Sequence, residues 1–394
     1  MKKFDFFYIA SIVLGIAIVG VMGFFIYNYF TGGFGRSAVQ VELRNGKASV
    51  SVNGKDYGEV PVYTEDILTG DVEVKIRGET NDYTTSLRPA NSTLAIVSRD
   101  LGVSENFSSG QNIWMEKAFN DSDSHISVIS PLVEGVSVIV DGVEIGKAPT
   151  KFATKDLLKE NEDNMYLITF RKDGYEEQQA RVTAVPGYQL NIRADLFLIP
   201  IPKEYTTLSG LPEGVKFLNF SKVSNPGFMD KKSWAKAINY WIPTREKNVF
   251  GNFKIDKFNY FIADNGDVFN SDGNQIAAEE MKIESDHAIA YLGYEDKLEL
   301  TDAAKASISK ALNQEVEITE GGTDAPATGV KVKIKPTGLG FLRVRATPST
   351  SGTEIGRVNE GTEHNVIEEQ NGWYKIKIEG DKEGWISGTY AERL

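Results

Sequence analysis

The sequence predicts a mainly β, multidomain chain with an N-terminal transmembrane helix, tandem small β-sandwich modules, a middle α+β domain and a small C-terminal β-barrel. Three observations carry that prediction. An uncharged apolar run opens the chain, a V-x-V-[DN]-G pattern recurs at an offset of 88 residues, and short alternating strands punctuated by Gly and Trp fill the segment from Lys331 onward. At 394 residues, with 41% hydrophobic and 25% charged positions, the chain is too long for one ordinary domain and too apolar for a disordered one. Its 43 Lys and Arg against 55 Asp and Glu leave a net charge of -12, which disfavours a nucleic-acid partner. The absence of cysteine excludes disulfides, thiolate metal sites and a Cys nucleophile. The three histidines, His125, His287 and His364, are scattered, so no metal site and no cofactor is expected.

The first element is the run from Phe6 to Phe30, which carries no charge and as a helix would extend about 37 Å, enough to cross a bilayer with tilt. Tyr8, Tyr27 and Tyr29 stand near its ends, and Lys2 and Lys3 precede it. That charge bias places residues 1–5 in the cytoplasm and everything after the span outside. The run is too long for the apolar region of a cleaved signal and continues into Thr31-Gly32-Gly33 rather than a small-residue cleavage site. The expectation is a single-pass cell-membrane protein with its bulk extracytoplasmic.

The repeat comes next. Val50-Ser-Val52-Asn53-Gly54 matches Val138-Ile-Val140-Asp141-Gly142, and Gly58 with Pro61 matches Gly146 with Pro149. Alternating valines suit a half-buried strand, Asn-Gly or Asp-Gly supplies the positive φ of a tight hairpin, and the later Gly and Pro are read as the end of the returning strand. A more polar stretch follows in each copy, Glu65 to Gly70 or Lys155 to Asn164, and then a further strand, Val72 to Ile76 or Tyr166 to Phe170. At these residues the chain resembles the PEGA domain family, the second copy also carrying Lys172-Asp173-Gly174-Tyr175 where the first has Arg77-Gly78-Glu79. The copies are placed at 38–118 and 124–200. The resemblance implies extracytoplasmic β-sandwich-like modules that act as spacers or interaction units.

Residues 203–318 fit no family, and their pattern mixes types. Asp230 is an N-cap for a helix through Trp241 that Pro243 should stop, Asn265-Gly266 and Asp272-Gly273 mark hairpins around Val268-Phe269, and Thr301-Asp302 opens a second helix to about Asn313. Asp264, Asp267, Asp272 and Asn274 have the composition of a calcium loop but not the order of an EF-hand, which favours turn chemistry. No motif for a hydrolytic nucleophile, zinc or phosphate loop is found, so no catalytic residue is named. His287 beside Asp286 is read as an ordinary strand residue in the run Ala288 to Leu292.

After a small-residue linker at 319–330 come Leu342-Arg-Val344-Arg-Ala-Thr-Pro348-Ser-Thr350, Ile355-Gly356, Glu360-Gly361-Thr362, Asn371-Gly372-Trp373-Tyr374-Lys-Ile376 and Gly384-Trp385-Ile386-Ser387-x-x-Tyr390. These five blocks resemble the bacterial SH3-like domain (SH3b), with Ala391 where the family usually has Leu or Val. The resemblance implies an SH3-like β-barrel over 331–394 that binds peptides and targets surface proteins to peptidoglycan. Strand alternation puts Tyr374, Ile376 and Ile378 in the core and Trp373 with Lys375 and Lys377 on the accessible face. The expected ligand-binding residues are Trp373, Trp385, Arg343, Arg345 and Tyr390: rings to stack on a peptide or sugar, guanidinia to meet a carboxylate. The segment carries ten basic and nine acidic residues, so an anionic wall repels it least.

The functional expectation is a non-catalytic envelope protein that tethers the membrane to a cell-wall peptide or glycan, or to a surface protein. The alternative is a wall hydrolase or other enzyme with its active site in 203–318.

Overall fold

The computed structural model describes residues 19–24, 27, 35–118, 123–157, 164–251, 253–294, 299–320, 331–350, 352–370, 372–378 and 382–393. Most of the expected span at 6–30 lies outside them; its described residues 19–24 and 27 are helical. Among the described residues no helix is long and apolar enough to cross a membrane. The chain divides into two compact units, Met1–Leu198 and Ile199–Leu394.

The first unit is all β. Its strands are β1 (Arg36–Leu43), β2 (Ala48–Val52), β3 (Lys55–Glu59), β4 (Val62–Leu68), β5 (Val72–Gly78), β6 (Asp82–Leu87), β7 (Leu94–Asp100) and β8 (Ser109–Lys117), then β9 (His125–Ile129), β10 (Ser137–Val140), β11 (Val143–Lys147), β12 (Thr150–Ala153), β13 (Met165–Arg171), β14 (Gln178–Thr183) and β15 (Tyr188–Asp195). Two four-stranded sheets, β3-β2-β5-β6 and β11-β10-β13-β14, are copies of one another. In the first hairpin Val50 pairs with Gly58, Ser51 with Asp56 and Val52 with Lys55; in the second Val138 pairs with Gly146, Ile139 with Glu144 and Val140 with Val143. Each pair in the second list is the first displaced by 88, bulge included. Gly58 and Gly146 therefore sit inside their strands at the bulge, with φ of 85° and 154°, and do not end them as the sequence reading had it.

The turn residue does more than tolerate a positive φ. The Asn53 side chain accepts a hydrogen bond from the Glu73 N–H at 2.8 Å, and the Asp141 carboxylate accepts one from the Leu167 N–H at 3.0 Å. A short side-chain acceptor here ties the hairpin to the neighbouring strand.

The third sheet joins the copies. Its order is β12-β9-β15-β8-β7-β1-β4, with β1 and β7 parallel, β9 and β15 parallel, and β8 antiparallel to both β7 and β15. Outward from β8 the order is β7, β1, β4 on one side and β15, β9, β12 on the other, with matching directions. A half-turn about the β8 axis interchanges the two sides and turns the sheet over, so the two copies pack their four-stranded sheets on opposite faces. The side chains of β8 show it. Trp114 packs with the first core, around Val39, Val41, Val50 and Val74, whereas Ile113 and Met115 pack with the second, around Ile126, Val138, Ile168 and Ile192. The stretch read as polar at Glu65 is part of β4, whose alternation is broken because Val39 pairs with Thr64 but Ser37 with Ile67, an extra residue on one side.

The second unit begins with an α+β sheet. Its elements are β16 (Thr206–Ser209), β17 (Lys216–Asn219), α1 (Lys231–Arg245), β18 (Val249–Phe250), β19 (Phe253–Lys254), β20 (Tyr260–Ala263), β21 (Val268–Asn270), β22 (Gln275–Ile276), β23 (Ala288–Leu292), α2 (Asp302–Leu312) and β24 (Thr319–Glu320). The sheet order is β22-β21-β20-β23-β17-β16-β24, and β20, β23 and β17 run parallel. All five residues of β23 are buried, as a central parallel strand covered on both faces requires. Ala304 and Ile308 of α2 pack with Phe217, Ile262 and Ile289. Asp230 caps α1 by accepting from the Ser233 N–H, and Thr301 caps α2 by accepting from the Ala304 N–H. Pro243 does not stop α1, since a proline in the last turn frees only the Asn239 carbonyl. The helix runs two residues further and ends at the left-handed Glu246, whose N–H bonds to the Ile242 carbonyl. Thr319, expected to open the linker, instead pairs with Ser209 in this sheet.

Seven strands follow: β25 (Lys331–Ile334), β26 (Phe341–Arg345), β27 (Glu354–Asn359), β28 (Glu363–Gln370), β29 (Trp373–Ile378), β30 (Lys382–Ser387) and β31 (Ala391–Arg393). They form one antiparallel sheet, β27-β26-β30-β29-β28-β25-β31, curled round Val332, Ile334, Leu342, Val344, Val358, Val366, Ile376, Ile386 and Ala391. Ala391 is buried opposite Ile334, so the small residue at this position still closes the core.

Candidate binding face of the C-terminal barrel

Alternation sets which side chains of the barrel face outward. On β29, Ile376 is fully buried and Tyr374 and Ile378 pack against the core, leaving Trp373, Lys375 and Lys377 on the other face. On β30, Ile386 points in, so Trp385 points out. Register then aligns Arg345 of β26, Trp385 of β30 and Lys375 of β29 in one cross-strand row, with Trp373 opposite Ser387, one step diagonal to Trp385. Lys375 is ion-paired with Glu383 at 2.8 Å.

The two tryptophans differ. Trp373 is partly buried. Trp385, read as a ring for ligand stacking, is only 6% exposed despite its outward strand position. Tyr390 is 44% exposed in the turn Gly388–Tyr390, and no hydrogen bond or ring contact among the described residues joins it to either tryptophan.

The arginines are already engaged within the chain. Glu354 accepts from Arg357 Nε at 2.6 Å and lies 3.3 Å from Arg343 Nε, while Arg345 Nη1 donates to the Gly352 carbonyl at 2.6 Å. The Arg357 hydrogen bond, helped by the positive charge of Arg357, Arg343 and Arg345, holds the Glu354 carboxyl below the usual carboxylate range. Arg357 also stacks over Phe341 at 4.3 Å. Three guanidinia around one carboxylate leave this face cationic, an arrangement that can attract an anionic group. Residues 340–392 match the family model of the bacterial SH3 domain.

The bacterial SH3 domain therefore presents Trp373, Lys375, Arg345 and the Arg343–Glu354–Arg357 cluster on one side of its sheet, with Trp385 buried among them. Comparison of the chain with curated proteins found no match. Two other features of the domain are structural. Glu360 accepts from the Thr337 hydroxyl at 2.6 Å and the Gly340 N–H at 3.1 Å, bonds that fix the loop before β26 and lower its carboxyl pKa. Burial pushes the His364 imidazole down, and its Nε2 is 2.8 Å from the Thr362 hydroxyl.

A second group of polar side chains lies at the carboxyl ends of the parallel strands β20 and β23; sequence reasoning singled out Asp264 but missed Lys231 and Tyr291 beside it. Lys231, the first residue of α1, donates to the Gly293 carbonyl at 2.9 Å and lies 3.7 Å from Asp264, with its ammonium 5.0 Å from the Trp234 ring. Burial lowers the Lys231 pKa against the pull of Asp264, and burial raises that of Tyr291. Open α/β sheets place ligands at this edge. The residues come from helix α1 and the ends of two strands far apart in the chain, so no local motif could have disclosed the grouping.

The remaining candidates from sequence are held by their own turns. Asp267 accepts from Asn265 and Gln275, and Asn270 accepts from the Asp272 and Asn274 N–H groups. His287 lies in the turn before β23 rather than in it. Its Nδ1 accepts from the Glu284 N–H at 3.3 Å, and the ligand atoms of Glu284, Asp286 and His287 lie within 4.8 Å of one another. That is the one grouping of three metal-binding side chains among the described residues.

Proposed function

We propose that this is a single-pass, membrane-anchored protein of the bacterial envelope, non-catalytic, whose extracytoplasmic part tethers the membrane to a cell-wall peptide or glycan, or to a surface protein. The match of residues 340–392 to the bacterial SH3 domain carries the reading, because such domains bind wall ligands. The cationic face with the partly buried Trp373 supplies a surface for that contact, and the apolar run from Phe6 to Phe30 supplies the anchor. The PEGA-like repeats serve as the spacer between them. Two attachments on one chain raise the effective concentration of each at the other, so modest affinity at the barrel suffices.

The test is retention of the extracytoplasmic chain on purified cell walls. Deleting residues 331–394 should abolish it. Trp373→Ala should weaken it several-fold while changing barrel stability by no more than about 1 kcal/mol. Trp385→Ala should instead destabilise the barrel by about 3 kcal/mol, the cost of emptying a buried Trp site. Undiminished retention after the deletion refutes the wall-binding reading.

The Lys231–Asp264–Tyr291 group supports a second reading, an enzyme acting on the wall with the barrel as its targeting module. A peptidoglycan zymogram with Lys231, Asp264 and His287 changed singly separates the two: a cleared band lost in one variant favours the enzyme.

A further inference from the structure

The joined β-sheet of the first unit has a geometry suited to carrying load. The chain enters it at Arg36, the start of β1, and leaves it after Asp195, the end of β15. Those strands are parallel in direction, since β1 runs with β7, and both β7 and β15 run against β8. Entry and exit therefore lie at opposite ends of the same sheet, three strand spacings apart, and the line between them runs more along the strands than across them. Inter-strand hydrogen bonds stand across that line. Tension along it loads every bond of an interface together, whereas tension across the strands opens a ladder one bond at a time.

We infer that the tandem β unit is a load-bearing element of the chain, in which tension passing from residue 36 to residue 198 is borne in shear through β1, β7, β8 and β15. The inference rests on the tether reading for its purpose, but its mechanical content belongs to this sheet alone. The load path crosses six paired residues between β1 and β7, five between β7 and β8, and eight between β8 and β15.

The exit end is pinned beyond the ladder. Arg99 at the end of β7 donates to Asp195 Oδ2 at 2.8 Å, reaching across β8 at the point where both residues stand opposite Gly110. A side chain at Gly110 would collide with the Ser98 carbonyl and with Arg99, so the glycine opens the passage for the guanidinium. Arg193 Nε donates to the same oxygen at 2.9 Å, and Arg99 lies 3.7 Å over the Tyr83 ring. Arg99 and Asp195 are 1% and 0% exposed, so water cannot readily replace their bond under load. Past β15 the Phe197 carbonyl accepts from Glu176 N–H and the Leu198 N–H donates to Asn106, with both residues buried. Force arriving from the barrel side meets these contacts first.

Single-molecule pulling on the extracytoplasmic chain tests this, and the lack of cysteine in the sequence makes introduced thiols unique handles. One handle pair, Arg36→Cys with Lys203→Cys, loads the strands lengthwise. The other, Asp66→Cys with Lys155→Cys, takes exposed sites on the two outer margins of the sheet at one end and loads it crosswise. The lengthwise pair should rupture at several-fold higher force, and Asp195→Asn should lower that force by a larger fraction than it lowers the crosswise value. Equal forces for the two handle pairs overturn the inference even if wall retention is intact. High lengthwise force with no wall retention leaves this inference standing and removes the tether reading.

Discussion

The two β modules of the first unit share one hairpin to the residue, yet they are assembled inversely. Each pairs its valine strand with a bulged return at the same register, and each closes its turn with an Asn or Asp side chain bonded to the neighbouring strand. Their cores nevertheless lie on opposite faces of one sheet, because β8 is shared as the seam about which the copies are related. The difference teaches that a sequence repeat specifies the hairpin, whereas the assembly is specified by residues outside the repeat. Gly110, Arg99 and Asp195 are such residues: none belongs to the recurring pattern, and together they join copy to copy.

Breaking the seam should therefore damage both modules at once. Gly110 has a φ of 147° and no room for a Cβ against the Ser98 carbonyl and the Arg99 Cα. Gly110→Val should have the largest effect of any single change, a loss of more than about 4 kcal/mol, with amide exchange protection falling in both copies together. Protection retained in either copy would show that the modules fold separately. Next in size is Asp195→Leu, which leaves the buried Arg99 without its counter-charge and should cost about 3–5 kcal/mol in urea unfolding of the unit. Adding Arg99→Met to that variant should recover much of the loss, since an apolar pair removes the uncompensated charge. A double variant no more stable than the single would mean that the pair is not the seam's electrostatic centre.

How much of this was legible follows from where the information sits along the chain. The hairpins could be read because their turn, bulge and alternation lie within about a dozen consecutive residues. The barrel's inward set could be read for the same reason, and Tyr374, Ile376 and Ile378 do face its core. The seam could not. On β8, Ile113, Trp114 and Met115 are consecutive apolar residues, a run with no alternation, because each face of this strand meets a different core. The bulge in β4 breaks its period, so the stretch from Glu65 to Gly70, which holds the end of this strand, reads as polar. Trp385 shows the limit for a site residue: its strand position is outward, yet only 6% of it is exposed, and strand periodicity carries no information on that burial. Lys231, Asp264 and Tyr291 converge only through the parallel order of β20 and β23, which pattern alone does not specify.

The smallest expected effect is also the sharpest comparison of the copies. Asn53 and Asp141 have φ of 50° and 47°, and each side chain holds one backbone N–H of the adjacent strand. Asn53→Ala and Asp141→Ala should each cost about 1–2 kcal/mol, from a lost hydrogen bond and from placing alanine in the left-handed region. Exchanging the two types, Asn53→Asp and Asp141→Asn, keeps both the acceptor and the tolerance for positive φ, and should change stability by less than about 0.5 kcal/mol. Because the hairpins match in register, the two alanine variants should agree with each other more closely than either agrees with its exchange variant. Urea unfolding of the four single variants decides it. Unequal alanine costs would mean that the inverted packing reaches into the hairpin itself, and the separation of local pattern from assembly would fail at its simplest point.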